Sequence, residues 1–124
     1  MPKNKKRVLL VEDEGSLVNI LRENLIEEGF DVLVAIQGEE ALQKITDEHP
    51  DLVLLDIILP RLDGFVFLKR VKNDPELKSI PIIVLSNLGQ DGDVAKGKEL
   101  GASDYLVKAN HPISSVIATV KKFI

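Results

Sequence analysis

A chain of 124 residues with 44% hydrophobic and 29% charged side chains is long enough to bury one substantial core and reads as one ordinary globular domain. The absence of cysteine excludes disulfides, thiol catalysis and Cys-type zinc sites, and agrees with a reducing, cytoplasmic setting. A net charge of −4 argues against nucleic acid or an anionic membrane as the main partner.

The basic opening MPKNKKR is followed by only four apolar residues, VLLV, before EDE. That run is too short for a signal-peptide core or a membrane span, so residues 1–6 are expected to form a solvated tail and residues 7–124 the domain. The first strand is expected at RVLLV (7–11). Leu17, Ile20, Leu21, Leu25 and Ile26 then fall at helical spacing, and Gly29 ends that helix. DVLVAI (31–36) is the second strand, and Ala41, Leu42 and Ile45 repeat the helical pattern before HPD. DLVLLD (51–56) is the third strand, after which Asp63 and Gly64 start a helix carrying Phe65, Leu68 and Val71 and ending near NDP. IPIIVLS (80–86) is the fourth strand.

The helix that follows, over 91–100, has the poorest pattern, with only Val94, Ala95 and Leu100 as an apolar side. Gly92 and Gly97 each cost it about 1 kcal/mol relative to alanine. DYLVK (104–108) is the fifth strand. A final helix has Pro112 near its start and Ile113, Val116, Ile117, Val120 and Phe123 along one side. Five strands, each followed by a helix and each continuously apolar, imply an α/β fold with a parallel sheet covered on both faces. The expected architecture is a flavodoxin-like (βα)5 doubly wound sheet in the strand order 2-1-3-4-5.

In such a sheet ligands bind outside the carboxyl ends of the strands, where the strand order reverses. Strand one ends at Glu12 and Asp13, strand three at Asp56, strand four at Ser86 and strand five at Lys108. Strand two, an edge in this order, runs into Ile36, Gln37 and Gly38 and offers no ionisable group. Taken singly, Asp13 reads as a helix cap, Ser86 as a loop hydroxyl and Lys108 as a surface charge. Taken together, three acids, a hydroxyl and a lysine at strand ends on one edge point to a site.

Clustered carboxylates repel and need a cation, and an oxygen-only donor set suits Mg²⁺. A carboxylate beside that ion can attack a phosphoryl group to form an aspartyl phosphate, with a lysine and a hydroxyl holding the remaining oxygens. Asp56, the single acid on the central strand, is the nucleophile candidate; Glu12 and Asp13 are placed to hold metal.

VLLVEDE, PDLVLLDIILPRLDGF, IPIIVLS and LGASDYLVKA together resemble the receiver domain of two-component response regulators, over essentially the whole chain. The resemblance implies that Asp56 is the phosphoacceptor and that Asp13, Glu12, Asp56 and the backbone carbonyl of Ile58 bind Mg²⁺. It implies that Ser86 is the switch hydroxyl, Lys108 the phosphate-pairing lysine and Tyr105 the aromatic that changes rotamer on activation. The phosphoryl donor would be a sensor histidine kinase or a histidine phosphotransfer protein. The readout would be a surface around the fourth helix, fifth strand and fifth helix, offered to an unknown protein target. Turnover of an external substrate is not expected.

Two residues depart from the family pattern. Ala109 stands where proline usually follows the lysine, and a cis bond there would cost about 2.5–4 kcal/mol, so a trans bond is expected. Asn87 is larger than the usual residue after the hydroxyl; it either narrows access to the site or hydrogen-bonds the phosphoryl group. Ile58 and Leu88 place apolar side chains beside the pocket and are expected to hinder the hydrolytic water.

His49 and His111 are expected in exposed loops, KRVK (69–72) on a solvated helix face, and Asp104 at the strand entrance opposite the site. The chain ends where the resembled domain ends, as either a stand-alone regulator or a receiver cut from a longer protein. A phosphatase with an aspartate nucleophile usually has a second acid where Ile58 stands, and a flavin carrier wants fewer charges than EDEGSL. A degenerate receiver acting only as an interaction module is the remaining alternative.

Overall fold

A computed structural model describes residues 5–124 of the chain. Residues 1–4 of the expected tail lie outside the described residues; Lys5 and Lys6 are exposed, and the first strand starts at Arg7. Strands and helices alternate strictly. They are β1 (Arg7–Val11), α1 (Gly15–Glu27), β2 (Asp31–Ala35), α2 (Gly38–Glu48), β3 (Leu52–Leu55), α3 (Gly64–Lys72), β4 (Ile82–Ser86), α4 (Asp91–Glu99), β5 (Asp104–Val107) and α5 (Ile113–Phe123).

All strand pairings are parallel, in the order β2-β1-β3-β4-β5, so the flavodoxin-like doubly wound sheet is the observed fold. The strands divide their side chains between two cores with period 2. Leu9, Val11, Val53, Leu55, Ile82, Val84 and Tyr105 pack with α2 and α3 residues, and with Val94 and Leu100 from the α4 region. Val8, Leu10, Leu52, Leu54, Ile83, Leu85 and Leu106 pack on the other side with Leu21 and Leu25 of α1 and Val116, Ile117 and Val120 of α5. Burial on both faces is why these strands read as continuous apolar runs.

The helix boundaries have local causes. Asp63 caps α3, accepting the Phe65 N–H at 2.7 Å. Glu40, in the first turn of α2, accepts the Ile36 N–H at 2.8 Å; that bond, helped by Lys44, lowers its pKa. Gly29 sits at φ +97°, the left-handed conformation that turns the chain from α1 into β2.

Several expectations need correction. β2 stops at Ala35, leaving Ile36 exposed, and on α1 both Ile20 and Ile26 face solvent while Val18 is the half-buried residue. An edge strand and an outermost helix have only one neighbour each on one side, so their apolar residues need not all find cover. Lys72 is not part of a solvated face: its Nζ donates to the Lys78 and Ile80 carbonyls at 2.9 and 2.7 Å, tying down the loop after α3. Burial accordingly lowers the Lys72 pKa. His111 is half-buried rather than exposed, with Nδ1 3.0 Å from Ser115 Oγ. At Gly97 a Cβ would lie 2.6 Å from the Tyr105 ring. The Lys108–Ala109 bond is trans as expected, no peptide bond among the described residues is cis, and Lys108–Asn110 form a 3-10 turn.

Candidate functional site

The carboxyl ends of β1 and β3 bring the acids together because the two strands are neighbours in register. Val11 pairs with Leu55, and the next residues in each strand continue the ladder: the Glu12 N–H bonds Ala35 O and the Asp56 N–H bonds Val11 O, each at 3.0 Å. Glu12 is 2% and Asp56 5% exposed, whereas Asp13 faces solvent. One carboxylate oxygen from each of Glu12, Asp13 and Asp56 lies within 4.8 Å of the others. Asp13 does not occupy a helix cap, because α1 is preceded by Glu14.

β5 delivers the cation. Lys108 Nζ is 2.8 Å from Glu12 Oε1 and 3.0 Å from Asp56 Oδ2. Main-chain donors take up further oxygens: the Ile58 N–H bonds Asp56 Oδ1 and the Glu14 N–H bonds Glu12 Oε2, both at 3.1 Å. Burial raises the Glu12 pKa, against the hydrogen bond from Lys108 and with the help of the Asp56 charge. For Lys108, burial opposes the charge, but hydrogen bonds to Glu12 and Asp56 outweigh it and its pKa is raised. The lysine therefore stays charged through the neutral range.

Ser86, the last residue of β4, is fully buried, and its Oγ accepts the Leu88 N–H at 3.3 Å. The other end of the same residue is held as well: Tyr105 OH donates to Leu88 O at 2.6 Å. Tyr105 is turned inward and 6% exposed, and its phenol is pushed up to about 12 by burial, with Asp93 and Asp56 adding negative charge nearby. Asn87 lies between Ser86 and Leu88 and is exposed. Ile58, two residues past Asp56, is 55% exposed at the rim, and Leu88 is half-buried.

Two residues already noted in the sequence have further roles that escaped the sequence reading. Gly64 opens α3, but it also lets the loop after Asp56 fold back: a Cβ there would meet Ile57 Cα at 2.5 Å and Asp56 O at 2.7 Å. Its sequence signal was its place after the turn residue Pro60 and next to the cap Asp63. Leu88 joins the hydroxyl and the phenol through its own peptide groups, and no side-chain pattern announces that.

The donor set fits a hard divalent cation. It holds oxygens only, and of its three carboxylates the two buried ones, Glu12 and Asp56, bond Lys108 while Asp13 is open to solvent. The fold and this acid cluster with its lysine define a class: doubly wound domains with a charged site at the switch point.

The family description of the response regulator receiver domain matches residues 8–119, and the chain belongs to that family. It is 42% identical over 107 residues to the alkaline phosphatase synthesis transcriptional regulatory protein PhoP of Bacillus subtilis, covering 86% of this chain and 44% of that protein. The chain thus spans about half the length of such curated relatives. Chemotaxis protein CheY4 of Vibrio cholerae superposes with a TM-score of 0.89 at 28% identity, over 98% of this chain and all of that one. The Mn²⁺-bound form of response regulator Rcp1 superposes with a TM-score of 0.83 at 28% identity, over 95% of this chain and 93% of that one. Among the described residues no helix is long and apolar enough to cross a membrane.

Proposed function

We propose that the domain accepts a phosphoryl group on Asp56 and passes the event to a protein partner. The observation that carries this reading is the convergence of Glu12, Asp13 and Asp56, with Lys108 bonded to the two buried acids. The donor is a phosphohistidine on a sensor histidine kinase or a phosphotransfer protein. Asp56 Oδ forms the new O–P bond, the N–P bond to the imidazole breaks, and the electron pair leaves with the imidazole, which is then protonated.

Glu12, Asp13, Asp56 and the backbone carbonyl of Ile58 are the residues that would hold Mg²⁺, an ion type in keeping with the Mn²⁺ that Rcp1 binds. When bound, the ion offsets charge on the phosphoryl oxygens. Lys108 moves its contact from the Asp56 carboxylate to a phosphoryl oxygen, still anchored by Glu12. The Ile58 N–H, already aimed at Asp56, is a second donor for the developing charge. Asn87 is placed beside Ser86 to contact the group or narrow its access. The same pocket later hydrolyses the aspartyl phosphate, with no external substrate turned over.

The switch is a population shift. Ser86 Oγ turns to the phosphoryl group and gives up the Leu88 N–H, which frees the loop that also holds Tyr105. The ring and α4 then resettle, and the α4, β5 and α5 surface changes for a downstream protein.

The test is incubation with acetyl phosphate and Mg²⁺ followed by intact mass. One added phosphoryl group is expected, lost in Asp56→Asn and lost with chelator. Wild-type mass unchanged under these conditions rejects the reading and leaves a phosphorylation-independent interaction module. Turnover of many small phosphate esters identifies a phosphatase instead.

A further inference from the structure

On the α3 and α4 side of the sheet lies a cavity of about 220 Å³ lined by Phe65, Val66, Lys69, Lys96 and Leu100, none of them a residue of the acidic site. Its origin is the poor apolar content of α4, in which only Gly97 is fully buried. Phe65 forms the floor at 8% exposure, Val66 stands at the rim at 40%, and Leu100 closes one end. The volume suits one large aliphatic or aromatic side chain.

The rim is cationic in a chain whose net charge is −4. Lys96 Nζ sits 4.5 Å above the Phe65 ring centroid, and Lys69 rises from α3 one turn after Phe65 and Val66. Like most basic residues among those described, Lys69 and Lys96 have no carboxylate within 4.0 Å, so their charges are open to a partner. Arg70 and Lys98 are exposed on the same two helices and add to the field. The acids of these elements gather at the other ends: Asp63 caps α3, and Asp91 and Asp93 fill the first turn of α4, leaving Glu99 alone beside the lysines. Lysines near helix C-termini are favoured by the helix dipole. That explains their sign, but not why two of them flank an open apolar cleft.

We propose that this cleft docks an acidic, amphipathic segment of a partner protein, which seats one large apolar side chain on Phe65 and sets carboxylates on Lys69 and Lys96. A helix carrying its apolar residues at i, i+3 and i+4 with flanking glutamates meets those demands. Nucleic acid does not: it would present phosphates to an apolar floor and find no exposed aromatic ring to stack on. The contact is small, so it is transient and strongly salt-dependent.

The probe is a labelled synthetic helical peptide with leucines on one face and flanking glutamates, titrated into the full chain and followed by anisotropy and amide chemical shifts. Its counterpart carries lysines in place of the glutamates. The expected result is saturable binding of the acidic peptide alone, with shifts centred on Val66, Lys69, Lys96 and Leu100. Joint replacement Lys69→Glu and Lys96→Glu should weaken it about tenfold, and Val66→Asp should weaken it without altering the far-ultraviolet dichroism.

Absence of saturable binding overturns the proposal, as does equal binding of the basic peptide. Shifts centred instead on the α1–α5 groove near Asn24 and Lys121 also overturn it. So does concentration-dependent self-association through this cleft without peptide, which would make a second copy the occupant.

Discussion

Helices α4 and α5 flank opposite faces of the same edge strand, yet they are held very differently. α5 buries Val116, Ile117 and Val120 against Leu106 and the strands beside it. α4 has no fully buried side chain at all; its one buried residue, Gly97, serves by being small. A helix anchored by three aliphatic side chains is fixed with the core. One resting on a glycine and a tyrosine ring can shift while the core stays intact. The side of the domain that is loosely held is the side where Tyr105 and Leu88 connect to the acidic site.

The largest expected effect tests that contrast directly. Ile117→Ala on α5 should cost about 2–5 kcal/mol, whereas Leu100→Ala beside α4, half-buried, should cost about 1 kcal/mol. Equal losses in urea unfolding would remove the contrast. Native-state hydrogen exchange sharpens it further: α4 amides should exchange on the order of tenfold faster than those of α5.

Gly97→Ala probes the contact itself. Alanine is worth about 1 kcal/mol over glycine in a helix interior, but the added Cβ would meet the Tyr105 ring, so no net stabilisation is expected. The ring should instead turn outward and release Leu88 O. Tyr105 is the only tyrosine and the chain has no tryptophan, so phenol titration reads this residue alone. In the wild type the phenol is held near 12, above its ordinary value of 10.0. Because the fold favours the neutral phenol, its contribution is flat below pH 10 and stability falls as pH climbs from 10 toward 12. Gly97→Ala should bring the titration back toward 10.0; an unshifted curve would mean the ring never moved.

The smallest effect is kinetic. Exchanging Ile58 and Leu88 for polar residues should speed loss of the phosphoryl group severalfold, by admitting water at the rim. The decay of phosphorylated protein measured by mass is the check, and an unchanged rate would leave these side chains without that role.

Much of this molecule was legible in order. The five apolar runs, Gly29 as a stop, Asp63 and Gly64 as a start, and the absence of any ionisable group at the end of β2 were all readable from spacing. Strand and helix periods are local properties, repeated within a few residues. The acids were legible too, because a carboxylate ending an apolar strand is unusual on its own terms.

What the sequence by itself determined was therefore the parallel doubly wound layout and the candidates at its strand ends. Tertiary structure alone decided the rest. Lys108 reaches Asp56 across 52 positions of sequence, a meeting set by strand order and register that no local period encodes. Ile20 and Ile26 stay exposed, His111 finds Ser115, Lys72 closes a loop, and Gly97 makes room for a ring, because each depends on which neighbour the fold supplies. Periodicity states which side of an element wants cover; only the packed chain determines what covers it.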